Sequence, residues 1–265
     1  MKIPFLAAAG AALLWATAAG AGPATLQPHL GVYELSLSST REGSGIISVA
    51  GRLVIEITDS CDGYAQTQRM LLRLSDTRGQ EIVSDSNYTT WESRDGQIIR
   101  FSARSALNGE INEKFSGRAE LAGKGESGVI TFNDPGMPDI ELQEGTIFPT
   151  EHFFQIINAA LAGETVLNRR LYDGSGPDGI YDTVAIVASG GSAAQEKVGG
   201  DLLADLLSWR VRLAYFTPGD QDGVPEYEIG LRLYENGVAS DLVLDYGDFV
   251  MSATLSRLDF LSTDC

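Results

Sequence analysis

The sequence predicts an all-β protein, mainly antiparallel, with one amphipathic helix. Runs of alternating apolar and polar residues recur roughly every 8 to 15 residues along most of the chain. Residues that form tight turns separate these runs, for example Asp95-Gly96 and Asn108-Gly109. One segment near the middle follows the period of a helix instead. Because this spacing leaves no room for crossover helices, the strands should form an antiparallel sandwich or barrel.

The N-terminal residues are typical of a secretory signal peptide. Lys2 is followed by an apolar run over Ile3–Ala18 and then by Ala-Gly-Ala, which matches the order of charged region, apolar region and cleavage site. A membrane anchor is disfavoured because the run is shorter than the ~20 residues that cross a bilayer. We therefore predict a signal peptide over 1–21 and a single exported domain over 22–265.

The first strands of the domain should place a cysteine at a turn. Tyr33, Leu35 and Leu37 share one face of the first run, and a hairpin follows over 51–59 and 64–75. Cys61 lies in the turn of this hairpin.

The chain contains one other cysteine, its last residue. In an exported protein two cysteines favour a disulfide, Cys61–Cys265, over free thiols or a metal site. The bond would close a loop of about 205 residues and stabilise the fold by up to about 5 kcal/mol.

The other strands follow in two series, before and after the helix. The predicted runs lie near 81–91, 97–107, 111–122 and 126–133, then at 167–172, 180–189, 209–215, 227–233, 242–246 and 249–255.

Between the two series, the apolar residues from Phe153 to Leu161 follow a helical period. Thr150 is the predicted N-cap, Glu151 lies in the first turn, and Gly163 follows the end. The apolar stripe of this helix should plug or cover a curved sheet. A weaker helical pattern over 193–207 is interrupted by two glycines, and we expect at most one or two helical turns there.

The composition and motifs exclude several functions. The formal net charge of -17 disfavours binding to nucleic acid and to anionic lipid surfaces. His29 and His152 are the only histidines, and neither begins a metal-ligand spacing; we expect ordinary histidines at the surface or at a helix start. The acidic segment 173–182 lacks the spacing of a calcium loop, which favours a polar turn. We predict no catalytic residue, metal or cofactor.

Several motifs together resemble the EipB family of alphaproteobacterial envelope-integrity proteins. They are Pro28-His29 with Tyr33 and Leu35, Cys61–Tyr64, Phe148–His152, Glu226–Ile229, Leu233–Val238 and Asp245–Phe249. The resemblance implies a periplasmic, spiral-like open β-barrel with a helix at its middle, closed by a disulfide that maps onto Cys61 and Cys265. It also implies a role in cell-envelope integrity, with no catalytic residues to transfer.

These features suggest a non-enzymatic periplasmic protein, expected to be a monomer, that binds a partner on its curved sheet. The partner could be a lipid or acyl chain in an apolar cavity under the helix, as in lipoprotein carriers, or an envelope protein in a polar groove. An enzyme that uses paired carboxylates in the groove is a further alternative. An outer-membrane barrel is the structural rival, which charged residues such as Arg69 and Arg73 disfavour.

Overall fold

The computed structural model describes residues 25–188, 198–220 and 222–263, which form one continuous sheet of fifteen strands with two helices. The strands before the longer helix are β1 (His29–Thr40), β2 (Ile46–Asp59), β3 (Gly63–Asp76), β4 (Glu81–Ser93), β5 (Ile98–Leu107), β6 (Glu110–Leu121), β7 (Gly128–Phe132), β8 (Ile140–Leu142) and β9 (Thr146–Ile147). The elements that follow are α1 (Pro149–Leu161), β10 (Val166–Tyr172), β11 (Ile180–Val187), α2 (Gly200–Leu203), β12 (Ser208–Phe216), β13 (Tyr227–Tyr234), β14 (Ala239–Asp245) and β15 (Phe249–Phe260).

The sheet is a long meander in which strands adjacent in sequence pair with each other. Its order is β8-β7-β6-β5-β4-β3-β2-β1-β15-β14-β13-β12-β11-β10-β9, so the first and last strands pair at the centre. All pairs are antiparallel except β9 with β10. The two edge strands, β8 and β9, are joined by only three residues, 143–145. The predicted antiparallel all-β class is confirmed.

The sheet curls until strands far apart in its order touch. Tyr88 on β4 donates a hydrogen bond from its hydroxyl to the carbonyl oxygen of Asp173, which follows β10. The rings of Phe101 on β5 and Tyr172 on β10 meet edge to face, with centroids 5.6 Å apart. Because β4 and β10 lie on opposite arms of the sheet, these contacts make the structure a nearly closed barrel.

The barrel interior holds two packed cores. The larger core joins residues from β1, β2, β3, β10–β15 and the buried side of α1, including Ile156 and Leu233. The smaller core lies beneath β5–β8 and is sealed by Phe148 and Tyr172, both fully buried. Beside the larger core the side chains leave a space.

Helix α1 confirms one predicted end and corrects the other. Gly163 follows the helix with a φ of 78°, as the sequence predicts. The prediction that Thr150 caps the start is wrong. The helix begins at Pro149, and Phe148 occupies the cap position, two residues before Thr150, without a side-chain cap. Proline is favoured at the first helical position because it needs no hydrogen-bond acceptor for its nitrogen.

In the described part of the weak helical candidate at 193–207, residues 198–207, the structure has the four-residue α2. Residues 193–197 of that candidate, the predicted signal peptide over 1–21 and Cys265 lie outside the described residues. In the part of the chain that is described, no helix combines the length and the hydropathy needed to cross a membrane.

Candidate ligand-binding cavity

A cavity of about 490 Å³ lies inside the barrel, between residues of the larger core and the inner face of β3–β6. One side of α1 lines it through Pro149, His152 and Phe153. The helix therefore covers part of the curved sheet, as its apolar stripe predicts. The volume is within the range of about 300–1,000 Å³ that is typical of small-molecule sites.

Most of the cavity wall is apolar. It is formed by the inward-facing residues of β1, β2 and β12–β14, in which alternate positions point into the barrel. These side chains are Tyr33, Leu53, Ile55, Ile57, Leu213, Tyr215, Tyr227, Ile229, Leu231, Leu242 and Leu244.

The wall contributed by β3–β6 is more polar. The registers pair Gln68 on β3 with Tyr88 on β4, and Ser86 on β4 with Ser105 on β5. Ser105 in turn pairs with Glu113 on β6, so Ser86, Ser105 and Glu113 lie side by side across three strands. All five residues line the cavity. A ligand in this space would contact aliphatic and aromatic side chains on one side and polar groups on the other.

One end of the cavity reaches the surface. Tyr246, Ser175 and Glu113 line the cavity, are exposed, and lie at or near the turns at the end of the barrel where β14, β10 and β5 finish. From that end inward, stacked rings form part of the wall: the centroids of Tyr246 and Tyr227 are 6.3 Å apart, and those of Tyr227 and Tyr215 are 4.2 Å apart.

The opposite end is blocked by the start of β1. The Leu26 side chain contacts Gly237 in the β13–β14 turn so closely that a Cβ at this glycine would lie 2.3 Å from a Leu26 methyl carbon. The Gln27 amide also donates a 2.9 Å hydrogen bond to the carbonyl oxygen of Asn236. The cavity is therefore a blind pocket that opens at one end of the barrel.

A buried glutamate fixes the start of α1. Both carboxylate oxygens of Glu92, on β4, accept hydrogen bonds from the Thr150 backbone N–H, at 3.0 and 2.9 Å. The first N–H groups of a helix have no acceptor within the helix, and here a carboxylate from a distant strand satisfies one of them in place of a capping side chain. Burial raises the pKa of Glu92 from 4.5 to about 7, although its hydrogen bonds to the helix oppose this effect.

Both histidines are buried, each 2% exposed, so the expected surface position is wrong. His152 does lie near the start of α1, as expected. His29 Nδ1 lies 2.7 Å from the carbonyl oxygen of Gln27, and His152 Nε2 lies 3.4 Å from Thr183 Oγ1. Burial lowers the pKa of His29, and burial together with Arg169 lowers the pKa of His152 to about 4. Both rings are therefore neutral at neutral pH.

The acidic segment 173–182 forms the β10–β11 turn, as predicted, and packs against the inside of the sheet. The Asp173 carboxylate accepts a 2.8 Å hydrogen bond from the Ser175 backbone N–H, and burial raises the pKa of Asp173. The described residues contain no group of three or more histidine, cysteine or acidic side chains that could hold a metal ion. The inward position of the turn had no signal in the sequence.

Cys61 lies in the β2–β3 turn, as predicted, exposed and with a φ of 68°. Arg94 holds this turn: its Nε donates to the Cys61 carbonyl oxygen at 2.9 Å, and its guanidinium also bonds Asp59 and the Tyr64 hydroxyl. The partner cysteine, Cys265, is outside the described residues, so the disulfide stays a prediction.

The fold and its interior define a class: a barrel-like, all-β protein with a blind, mainly apolar cavity. Comparison with known proteins identifies the family. A family model described as EipB-like matches residues 20–262, and the chain belongs to this family. It is 35% identical to the cell envelope integrity protein EipB of Brucella abortus (strain 2308), over 99% of this chain and 96% of that protein.

The fold is also similar to a solved structure. A crystal structure of a beta-barrel-like protein from Brucella abortus, described as a domain of unknown function, matches with a TM-score of 0.83 and 33% identity. The match covers 90% of this chain and all of the other one. Together these comparisons confirm the family resemblance and the barrel-like fold.

Proposed function

We propose that this protein supports cell-envelope integrity in the periplasm by binding an acyl-chain ligand in the cavity. The observation that carries the proposal is a cavity of about 490 Å³ that is mainly apolar and opens at one end of the barrel. Apolar ligands bind such sites by removing hydrocarbon surface from water. The envelope role is supported by the name of the 35% identical relative. A protein partner on the outer surface is the rival, since it would not need the cavity.

Filling the cavity tests the proposal. Ala103 lines the cavity between Tyr88 and Phe115, whereas its neighbour Ser102 takes the opposite alternation and is exposed. We expect Ala103→Phe to weaken binding of the neutral fluorescent probe N-phenyl-1-naphthylamine roughly tenfold or more, because the new ring occupies the ligand's space. Ser102→Phe is the matched control and should bind the probe as the parent does. Circular dichroism and thermal unfolding establish that both variants are folded.

Two results would contradict the proposal. The first is a parent protein that does not bind the probe after lipid has been removed. The second is equal binding by the Ala103→Phe and Ser102→Phe variants, which would move the ligand to the outer surface. In either case a protein partner becomes the better explanation of the envelope role.

Export and the disulfide belong to the same proposal. Phe260, the last residue of β15, pairs with His29, and His29 pairs with Ile57 on β2. Strands β15 and β2 therefore finish at the same end of the barrel, about 10 Å apart at two strand spacings. Cys61 and Cys265 are only four and five residues beyond these positions, which supports their pairing. Protein from the periplasm should begin at Gly22 and gain the mass of two hydrogens on reduction; an unchanged mass would contradict the disulfide.

We also propose that the protein is not an enzyme. Among the described residues, two acidic ones line the cavity, Asp173 and Glu113. The hydrogen bond from the Ser175 backbone N–H holds the Asp173 carboxylate in its own turn. A general acid or base needs its carboxylate directed at the substrate. Binding without turnover is therefore the simpler use of this cavity, by a protein that we expect to be a monomer.

A further inference from the structure

The charged groups around the cavity restrict which head group an acyl-chain ligand can carry. Glu113 and Asp173, both acidic, line the cavity, and Glu113 lies near its open end. His29 and His152 also line it, but the burial that lowers the pKa of each ring leaves both neutral. Neither histidine therefore supplies a positive charge to balance Glu113 and Asp173.

Among the described residues that line the cavity, Arg104 is the one that carries a positive charge at all physiological pH values. Arg104 borders the cavity between Ala103 and Ser105, but the strand alternation that directs their side chains inward directs its side chain to the outer face of β5, where it is exposed. An anionic head group inside the cavity would therefore lose its water, meet carboxylates and gain no counter-ion. Each of these effects raises its free energy.

The cavity wall also contains neutral polar side chains. Gln66 and Gln68 lie on the inner face of β3, opposite Ile57 and Ile55 of β2, and both line the cavity. Neither amide has a hydrogen-bond partner among the described residues. Each amide offers both donors and an acceptor, which suits the ester, amide or hydroxyl groups of an uncharged lipid.

We propose that the cavity selects acyl chains with an uncharged head group, bound through Gln66 and Gln68, and rejects free fatty acids. This inference rests on the proposed acyl-chain function and specifies its ligand class. The residues that set this selection lie on the inner face of the barrel, and none lies on its outer surface.

Competition between two probes of equal chain length tests the inference. Monopalmitoylglycerol and palmitate are compared as displacers of N-phenyl-1-naphthylamine at pH 8, below the concentration at which either forms micelles. We expect monopalmitoylglycerol to bind roughly ten times more tightly or better. The preference should persist in 1 M salt, where a Debye length of about 3 Å screens the net charge of -17 but not contacts inside the cavity.

A positive charge placed inside the cavity should largely remove this preference. Gln68→Lys supplies the missing cation, so we expect palmitate affinity to rise roughly tenfold. Thr67→Lys adds the same charge at the neighbouring exposed position and should leave the preference unchanged. Gln68→Met, which keeps the length but removes the amide, should weaken monopalmitoylglycerol binding about 3- to 10-fold and leave palmitate binding unchanged.

The experiments distinguish a failure of head-group selection from a failure of acyl-chain binding. Palmitate binding as tightly as monopalmitoylglycerol, or a preference that disappears in 1 M salt, would overturn the head-group selection and leave acyl-chain binding intact. Failure of the probe itself to bind would instead remove the proposed function. Equal effects of Gln68→Lys and Thr67→Lys would show that overall charge, and not the cavity wall, sets the preference.

Discussion

The inner face of the barrel differs between two regions of one continuous sheet. Along β12–β15, β1 and β2 it is apolar and contributes to the larger core, whereas short and polar side chains replace the aliphatic ones where β3–β6 line the cavity. A single row across the registers shows the change: Tyr33, Leu53, Met70, Ser86, Ser105 and Glu113. Serine side chains do not reach the opposite wall. The cavity therefore has an aliphatic and aromatic wall on one side, and short polar side chains that leave space on the other.

Truncating one phenylalanine in the smaller core and one beside the cavity should give the largest contrast in stability. Phe148 is fully buried in the smaller core, whereas Phe153 is half-buried and lines the cavity. Phe148→Ala should lower the free energy of unfolding by about 3–5 kcal/mol, because it leaves a void in packed structure. Phe153→Ala should cost clearly less, since one side of its ring already faces open space. Urea denaturation of both variants measures the difference, and equal losses would show that the cavity region is packed as a core.

The contact between Glu92 and α1 should make stability depend on pH. Its folded pKa of about 7 lies above its ordinary value of 4.5, so the folded state binds the proton more tightly. Stability should therefore fall as pH rises from about 4.5 to about 7, by roughly 3 kcal/mol. Glu92→Gln keeps an acceptor for the Thr150 amide and removes this loss. We expect the variant to be more stable than the parent at pH 8 and similar to it at pH 4.5.

His152 should change the stability in the opposite direction to Glu92 over nearly the same pH range. Its folded pKa of about 4 lies below the ordinary 6.5, so its contribution is complete above pH 6.5 and is lost as pH falls toward 4. Glu92→Gln should therefore expose a rise in stability between pH 4 and pH 6.5 that the parent partly hides. Glu113→Gln, at an exposed position, is the control and should keep the parent profile. An unchanged profile in Glu92→Gln would contradict burial as the cause of the raised pKa.

The sequence predicts the strands well because their cause is local. Alternation places Leu53 and Met70 on one face, and the turn residues around Cys61 and Asn108 fix where each hairpin reverses. The end of α1 is equally local, because Gly163 adopts the left-handed backbone that helix ends favour. These features need no knowledge of distant residues.

The cavity and the start of α1 could not be predicted in this way, because both depend on contacts across the barrel. Glu92 and Thr150 are 58 residues apart, and the Tyr88–Asp173 bond spans 85 residues. A weak signal does exist: Tyr88, Thr90 and Glu92 alternate along β4, so an acidic residue shares a face with an aromatic one. Only the register of β3 and β4 identifies that face as the inner one.

A substitution on the outer face of the apolar region should have the smallest effect on stability. On β1 and β2, the guanidinium of Arg52 donates two hydrogen bonds to one carboxylate oxygen of Glu34, at 3.0 and 2.8 Å. The two side chains are 61% and 51% exposed, so water screens their attraction and ordering them costs entropy. Arg52→Ala should lower the free energy of unfolding by less than about 1 kcal/mol, measured by urea denaturation, and leave ligand binding unchanged. A loss comparable to that of Phe148→Ala would mean that outer-face ion pairs, and not the inner-face packing, distinguish the two regions of the sheet.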